Sequence, residues 1–423
     1  MKVIGLITEY NPFHFGHLYH LEKSKKLTGA DYSIAIMSGS FVQRGEPSLI
    51  DKWTKAKMAI DNGVDLVIEL PFIFSSQTAE LFAYGSIVLL HKLNIIDYIS
   101  FGSELDDIDY LKTIADILVE EPSYYKQRLK KYLNMGYSFP VSRSNALEDY
   151  FSKFHIENPE NIKNNLKMSN NILAIEYLKS LKIIDSSIKP ITIKRIGSSY
   201  NEYKLNHRIA SATGIRNSIL NSNIDSIKDY TPDKSFYHLV DYIDKYKNFN
   251  TLNNYVQIIH YLLRINGKKN LIETMDVDIG LRNRIIEKSL NHQDIDDLIQ
   301  SIATKRYTRT RIQRILIHLM MGLTKPIFDE LLPHYPTYVR VLGANKNGLF
   351  LLRNIKEKSN LPIITKFADY NKNNNPYINK IISFDKKSTD LYFLGLNTTK
   401  PFMDRDYYTS PYIVKTPNYS VLK

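Results

Sequence analysis

The apolar residues of the N-terminal part fall in short unbroken runs, and amphipathic stretches separate them. Val3 to Thr8 in "KVIGLITEY" is one such run and predicts a buried strand. "NPF" ends it, because Pro12 cannot donate to a ladder. "GHLYHLEKSKKLTG" places Leu18 and Leu21 on one face, which predicts a helix from about Gly16 that stops at Gly29. "SIAIMSG" predicts a second strand, "IDKWTKAKMAIDNG" a helix ended by Asn62-Gly63, and "VDLVIELP" a third strand closed by Pro71. "SSQTAELFAYGSIVLLHKL" reads as a third helix and "IIDYISFGSE" as a fourth strand. Strands buried on both faces carry near-continuous apolar text, as here. The alternation predicts a doubly wound parallel α/β sheet, whose ligands bind beyond the carboxyl ends of its strands.

From Leu105 to Leu166 the text turns helical and charged, which predicts a helical insertion. "NNILAIEYLKSL" reads as a helix, "KPITIKRIG" as a late strand, and "SATGIRNSIL" as the start of another helix. Residues 1–225 are therefore expected to form one α/β domain with a helical insertion. Residues 226–423 are expected to form a mainly helical, basic region. Within it, "TYVRVLGANKNGLFLLRNIKEKSNLPIITK" predicts a small strand–helix–strand unit.

Composition narrows the partners. The 423 residues carry a net charge of +12, with a pI near 9.3, which points to a polyanion. A mere compositional bias toward Lys, Asn and Ile is the alternative. There is no cysteine, so disulfides, a thiol nucleophile and Cys-ligated zinc are excluded. No apolar run approaches the roughly 18 residues that span a bilayer. The N-terminus lacks a signal-like apolar segment. A soluble cytoplasmic protein is expected.

The candidate chemistry begins at "ITEYNPFHFGHLYHL". His14-Phe15-Gly16-His17 lies where the first strand gives way to a helix. A helix N-terminus offers free N–H groups and a positive dipole end to a phosphate. Gly16 lets the backbone approach closely. Two imidazoles there can hydrogen-bond an α-phosphate as charge develops in an in-line displacement. Metal ligation by His14, His17 and His20 is a weaker alternative, because Gly16 intervenes and no carboxylate companion is evident. Any one of the three could also be an ordinary buried histidine. There is no Gly-x-Gly-x-x-Gly and no Gly-Lys-Ser/Thr loop to bind a nucleotide another way.

"IASATGIR" offers a second anion cradle, with Ser211 or Thr213 capping a helix and Arg216 in its first turns, or it is simply a capped helix. Lys167-Met168-Ser169 invites comparison with a synthetase motif, but the second lysine is missing and a helix cap explains it. "KRYTRTRIQRILIH" carries Lys305, Arg306, Arg309, Arg311 and Arg314 with no acid between them and Tyr307 interleaved. That pattern suits an RNA backbone; a solvated helix face is the alternative.

"GLITEYNPFHFGHLYHL", "SGSFVQRGEP", "ELPFIFSSQTAELFAYGSI", "FGSE", "KRIGSSYNE", "ASATGIR" and "KRYTRTRIQRIL" together resemble the bacterial tRNA(Met) cytidine acetate ligase family, over most of the chain. His-x-Gly-His alone marks a wider nucleotidyltransferase superfamily. The resemblance implies activation of acetate by ATP, with Mg2+, to acetyl-adenylate, then transfer of the acetyl group to the wobble cytidine of elongator tRNA(Met). Acetyl-CoA is not used. It implies catalytic roles for His14 and His17. It implies ATP contacts from Ile7, Thr8, Glu9, Tyr10, Asn11, Pro12, Phe13, His14, Phe15, Gly16, His17, Leu18, Tyr19 and His20. Gly102, Asn170 (beside Asn171), Arg195 and Ile196 complete that set. Phe15 stands where other members often carry a small polar residue. No resident metal is implied. A mononucleotide adenylyltransferase and a non-catalytic RNA-binding protein remain as rival readings.

Overall fold

The computed structural model describes residues 1–156, 162–195, 210–221, 224–370, 375–396 and 403–414. Its strands are β1 (Val3–Thr8), β2 (Tyr32–Ser38), β3 (Phe41–Val42), β4 (Glu46–Pro47), β5 (Leu66–Leu70), β6 (Tyr98–Ser103), β7 (Lys189–Lys194), β8 (Val339–Ala344), β9 (Ile363–Ile364) and β10 (Tyr412–Ile413). The large sheet has the order β10-β8-β5-β2-β1-β6-β7, and β9 pairs with β8. β1 runs parallel to β2, with Val3 opposite Tyr32 and Thr8 opposite Met37. The chain winds outward from β1 through β2 to β5, then crosses back to β6 on the other side of β1. That reversal opens a crevice at the carboxyl ends of β1 and β6, where doubly wound sheets hold their ligands.

The strands form because their side chains are buried on both faces. Val3, Ile4, Leu6, Ile34, Ile36, Val67 and Ile68 are fully buried. Each such side chain favours folding by about 1.5–3 kcal/mol. Helix α1 (Phe15–Thr28) follows β1 and ends at Gly29, whose φ of 62° is the left-handed cap a glycine adopts readily. Helix α2 (Lys52–Asp61) follows β2 and the β3–β4 ribbon and begins at Asp51, whose carboxylate accepts from Trp53 N and Thr54 N. The insertion is helical, through Ile108–Glu120, Ser123–Asn134 and Phe139–Lys153.

The expected strand–helix–strand unit exists, but it is not a separate body. β8 enters the large sheet antiparallel to β5, and β10 pairs with β8 in turn. One hydrophobic core runs through both parts of the chain. The boundary expected near residue 225 thus marks a change of text and not a division of the sheet. The mixed edge is a common feature of doubly wound folds. Among the described residues no helix is long and apolar enough to cross a membrane.

A buried ion cluster ties the late residues to the early ones. Lys52 Nζ lies 2.9 Å from Glu69 Oε1 and 2.9 Å from Asp406 Oδ1. Arg340 donates to the same Asp406 carboxylate at 3.0 Å. All four side chains are buried.

Candidate functional site

β1 ends at Thr8 and the chain reaches α1 through Glu9–His14. His14 is the cap residue of α1, with an extended backbone (φ −138°). Its Nδ1 accepts a hydrogen bond from Gly16 N at 3.0 Å. His17 Nδ1 accepts from His14 N at 3.3 Å, closing a reciprocal capping box. A ring nitrogen that accepts is unprotonated, so the neutral tautomer of each ring carries its proton on Nε2. The two rings lie against each other, centroids 3.8 Å apart. Local folding of the helix start thus presents two oriented, neutral N–H donors.

Their charge state follows from the same surroundings. Burial, then the Arg195 and Arg216 cations, lower the His14 pKa to about 3. Burial, then His14, His20 and Arg195, hold His17 well below the ordinary imidazole range. Both rings are therefore uncharged near neutral pH. His20 diverges from the pair: its Nε2 meets Ser100 Oγ at 3.1 Å, in a chain with Ser24. Burial, then Arg195, lower its pKa to about 4. The three histidines therefore do not converge as one ligand set. Among the described residues no group of three or more acidic or imidazole side chains could hold a metal ion.

These shifts set an acid limit on stability. His318, whose Nε2 meets Ser76 O at 2.7 Å, is also lowered by burial, to about 4. Unfolded, each of these histidines titrates near 6.5. Below about pH 6.5 the unfolded chain binds more protons than the folded one, so stability falls as pH falls. Each neutral histidine contributes a slope that rises from about 0.7 kcal/mol per pH unit at pH 6.5 toward about 1.4 at pH 5. Urea unfolding of the nucleotide-free protein across that window should show this slope. His318→Gln should reduce it by about one histidine's share. An unchanged slope would contradict the assignment of His318 as neutral.

The other expected ATP residues divide into walls and edges. Tyr10 and Phe13 are buried in the core, and their rings pack on His17 with centroids 5.0 and 5.6 Å away. Ile7 and Leu18 pack against that core. Thr8, Asn11 and Pro12 are buried, while Phe15, Gly16 and Tyr19 are partly exposed. Asn11 Oδ1 accepts from Leu49 N at 2.8 Å, tying the loop to the segment after β4. Glu9 Oε1 accepts from Gln43 N at 2.8 Å. Arg216 Nη1 donates to Asn11 O at 3.1 Å, so the second anion cradle adjoins the first. Thr213 bonds the same guanidinium, and Ser211 Oγ accepts from Gly214 N at 3.1 Å.

Across the crevice, a side chain on Gly102 would press on Arg195, whose Cγ would lie 3.1 Å from the added Cβ. Arg195 donates to Asn170 Oδ1 at 2.9 Å, and Asn170 donates to Glu104 at 2.6 Å. Asn171 is buried and accepts from Glu104 N at 2.9 Å, which ties down the turn after β6. Of the neighbouring pair, Asn170 bonds Arg195 and Glu104, and the buried Asn171 bonds the backbone. Ile196 lies outside the described residues.

Two lysines were missed by the sequence reading. Lys55 is fully buried and donates to Ser38 O (2.8 Å) and Gly39 O (2.9 Å) at the carboxyl end of β2. Burial lowers its pKa to about 7, against the opposing pull of Glu9, Glu69 and Asp51. The signal was present: Lys52, Lys55, Ala56, Ala59 and Ile60 follow the i, i+3, i+4, i+7, i+8 stripe that faces a core.

The basic segment differs from its reading in two ways. Lys305, Arg306 and Tyr307 precede the helix, which spans Arg309–Met321 and is capped by Thr308. The arginines also have acidic partners. Arg306 faces Asp278 at 3.7 Å, Arg309 pairs with Asp296, and Arg311 lies 3.2 Å from Asp276. Arg314 is buried, 3.9 Å from Asp276, under the β3–β4 ribbon. A Cβ on Gly45 would overlap the Arg314 backbone. Arg314 is thus not presented to a phosphate backbone, while Lys305, Arg306 and Arg309 are exposed.

The crevice, the capped histidine pair and the flanking guanidiniums define a nucleotidyltransferase of the HIGH class, and the HIGH Nucleotidyl Transferase family model matches residues 1–406. The tRNA(Met) cytidine acetate ligase of Thermoanaerobacter sp. (strain X514) is 46% identical over 93% of this chain and 96% of its own length. That of Clostridium botulinum (strain Langeland) is 45% identical over 99% of this chain and all of its own. The crystal structure of Thermotoga maritima TmcAL bound with alpha-thio ATP superposes with a TM-score of 0.91 at 34% identity, over 98% of this chain and all of that one. Within the HIGH class, the chain belongs to the tRNA(Met) cytidine acetate ligase family.

Proposed function

We propose that this chain is an ATP-dependent ligase that joins acetate to the exocyclic amine of the wobble cytidine of elongator tRNA(Met). A carboxylate oxygen of acetate attacks the α-phosphorus of ATP, and pyrophosphate leaves. The cytidine amine then attacks the carbonyl carbon of acetyl-adenylate, AMP leaves, and the nitrogen loses a proton. The product is N4-acetylcytidine. Mg2+ accompanies ATP as part of the substrate, and acetyl-CoA has no part.

The observation that carries this reading is the reciprocal capping box, in which each Nδ1 accepts and leaves Nε2 as the donor, within the field of Arg195 and Arg216. Donors fixed before reaction stabilise charge developing on the α-phosphate without reorganising. Gly102 and Asn170 line the adenylate end and Arg195 answers the phosphates. Thr213 and Arg216 supply the second cradle. No protein nucleophile is needed, since acetate brings its own. Lys305, Arg306 and Arg309 supply phosphate contacts to tRNA from the C-terminal region. Their aspartate partners lessen the net charge that they bring. The reaction belongs in the cytoplasm.

The test is ATP–pyrophosphate exchange without tRNA, followed by transfer of labelled acetate to tRNA(Met). Exchange should require acetate, and transfer should require tRNA(Met). R306A/R309A should keep exchange and lose transfer. Exchange that required a mononucleotide instead of acetate, or acetylation from acetyl-CoA without ATP, would overturn the reading.

A further inference from the structure

The helical insertion carries a feature that acetate activation does not use. Between Pro122 and Leu147 there are five cations, Lys126, Arg128, Lys130, Lys131 and Arg143, and no acidic residue. The segment forms the helix Ser123–Asn134, a turn through Gly136 at φ 84°, and the helix Phe139–Lys153 packed back against the first. The turn is apolar and uncovered: Met135, Tyr137 and Phe139 are 58%, 46% and 57% exposed.

The cations divide by role. Arg128 pairs with Asp149, which also accepts from Tyr132 at 2.8 Å. Arg143 reaches Glu176 at 3.5 Å. These contacts pin the hairpin to its own scaffold and to the helix Ser169–Ile183, whose first turn carries Asn170. Glu176 and Asn170 are about 9 Å apart along that helix at its ordinary rise. Lys130 and Lys131, by contrast, are exposed, and among the described residues neither makes an ion pair. The arginines near Tyr307 face aspartates, and that ring lies beside the Arg306 and Arg311 guanidiniums.

We propose that this hairpin tip is a docking site for an unpaired RNA loop. Tyr137 and Phe139 stack on splayed bases, while Lys130 and Lys131 hold the flanking phosphates. The inference rests on the tRNA reading above and names a surface for it. Proteins read RNA chiefly in single-stranded loops, through aromatic rings stacked on unpaired bases and cations on the backbone. A cytidine amine that is to be acylated must leave its stack, and the anticodon loop offers such bases. Arg143 links the hairpin to the helix that carries Asn170. The unpaired lysines favour a polyanion over a second copy of the chain, because two like tips repel.

The experiment measures binding of an anticodon stem–loop, and of the same stem without its loop, at several salt concentrations. Y137A/F139A should weaken stem–loop binding on the order of 10-fold for each ring that stacks and leave duplex binding unchanged. K130A/K131A should flatten the salt dependence by roughly 0.7 units of slope per lysine. Phe139→Trp should keep the affinity, and its fluorescence should be quenched by the loop. Acetate-dependent exchange without RNA should stay at the wild-type level in all three. A wild-type protein that binds the stem–loop, with Y137A/F139A binding it equally, overturns this inference alone. A wild-type protein that binds no RNA overturns the tRNA reading with it. Loss of self-association in Y137A/F139A, with RNA affinity kept, assigns the tip to a second copy instead.

Discussion

His17→Ala is expected to lower acetate-dependent ATP–pyrophosphate exchange by about 100- to 1,000-fold, the effect of removing one preorganised donor to developing charge. The loss should fall mainly on kcat, since a donor that acts on charge absent from the ground state contributes little to ATP binding. His14→Ala should match it in rate, and each substitution also removes one bond of the capping box. The His14 Nδ1 caps α1 by accepting from Gly16 N, and losing a cap costs about 1 kcal/mol. His14→Asn separates the two effects. A short amide can accept from the same backbone N–H and restore the cap, yet it does not present the Nε2–H. Stability should return while exchange stays low. Exchange within a few-fold of wild type in His17→Ala would remove the pair from phosphate chemistry.

Asp406→Ala is expected to destabilise the protein by about 3–5 kcal/mol, read as a lower urea midpoint. Burial pushes the Asp406 carboxyl up, but Lys52 and Arg340 outweigh it and hold the carboxyl below its usual range. Without Asp406, Lys52 and Arg340 stay buried and lose the carboxylate that both of them contact. A surface pair shows the contrast. Lys325 and Asp329 lie 2.6 Å apart and exposed, and Lys325→Ala should change stability by less than about 1 kcal/mol. Equal effects from the two substitutions would mean that the buried cluster is solvated in solution.

Much of the scaffold was legible because it is local. The run Val3–Thr8 became β1 with the same bounds, and Gly29 and Asn62 end their helices as the text implied. Period and punctuation suffice for such elements. Pairings over long sequence separations were not legible. β8 reads as a strand anywhere, but its place beside β5 depends on residues more than 270 positions away. Lys52 and Lys55 of "DKWTKAK" look like a wet helix face until Glu69 and Asp406 meet the first and the carbonyls of Ser38 and Gly39 meet the second. The basic segment reads as unpaired because its aspartates, Asp276, Asp278 and Asp296, lie outside it, in the text that precedes it. The histidine motif was read for its phosphate role, but the capping bonds that fix each tautomer need coordinates.

The place of β8 bears on how the chain is made. Leu66–Leu70 is apolar but for Glu69 and buried throughout, and β8 covers its open edge. A ribosome releases that edge long before residue 339 exists. During synthesis the growing chain therefore exposes an unpaired, sticky strand, the kind of template on which neighbouring chains aggregate. Lys52 waits over the same interval for the carboxylate at 406. The histidine motif and the strands beside it are made early, but the outer edge of β5 is covered only once β8 has followed.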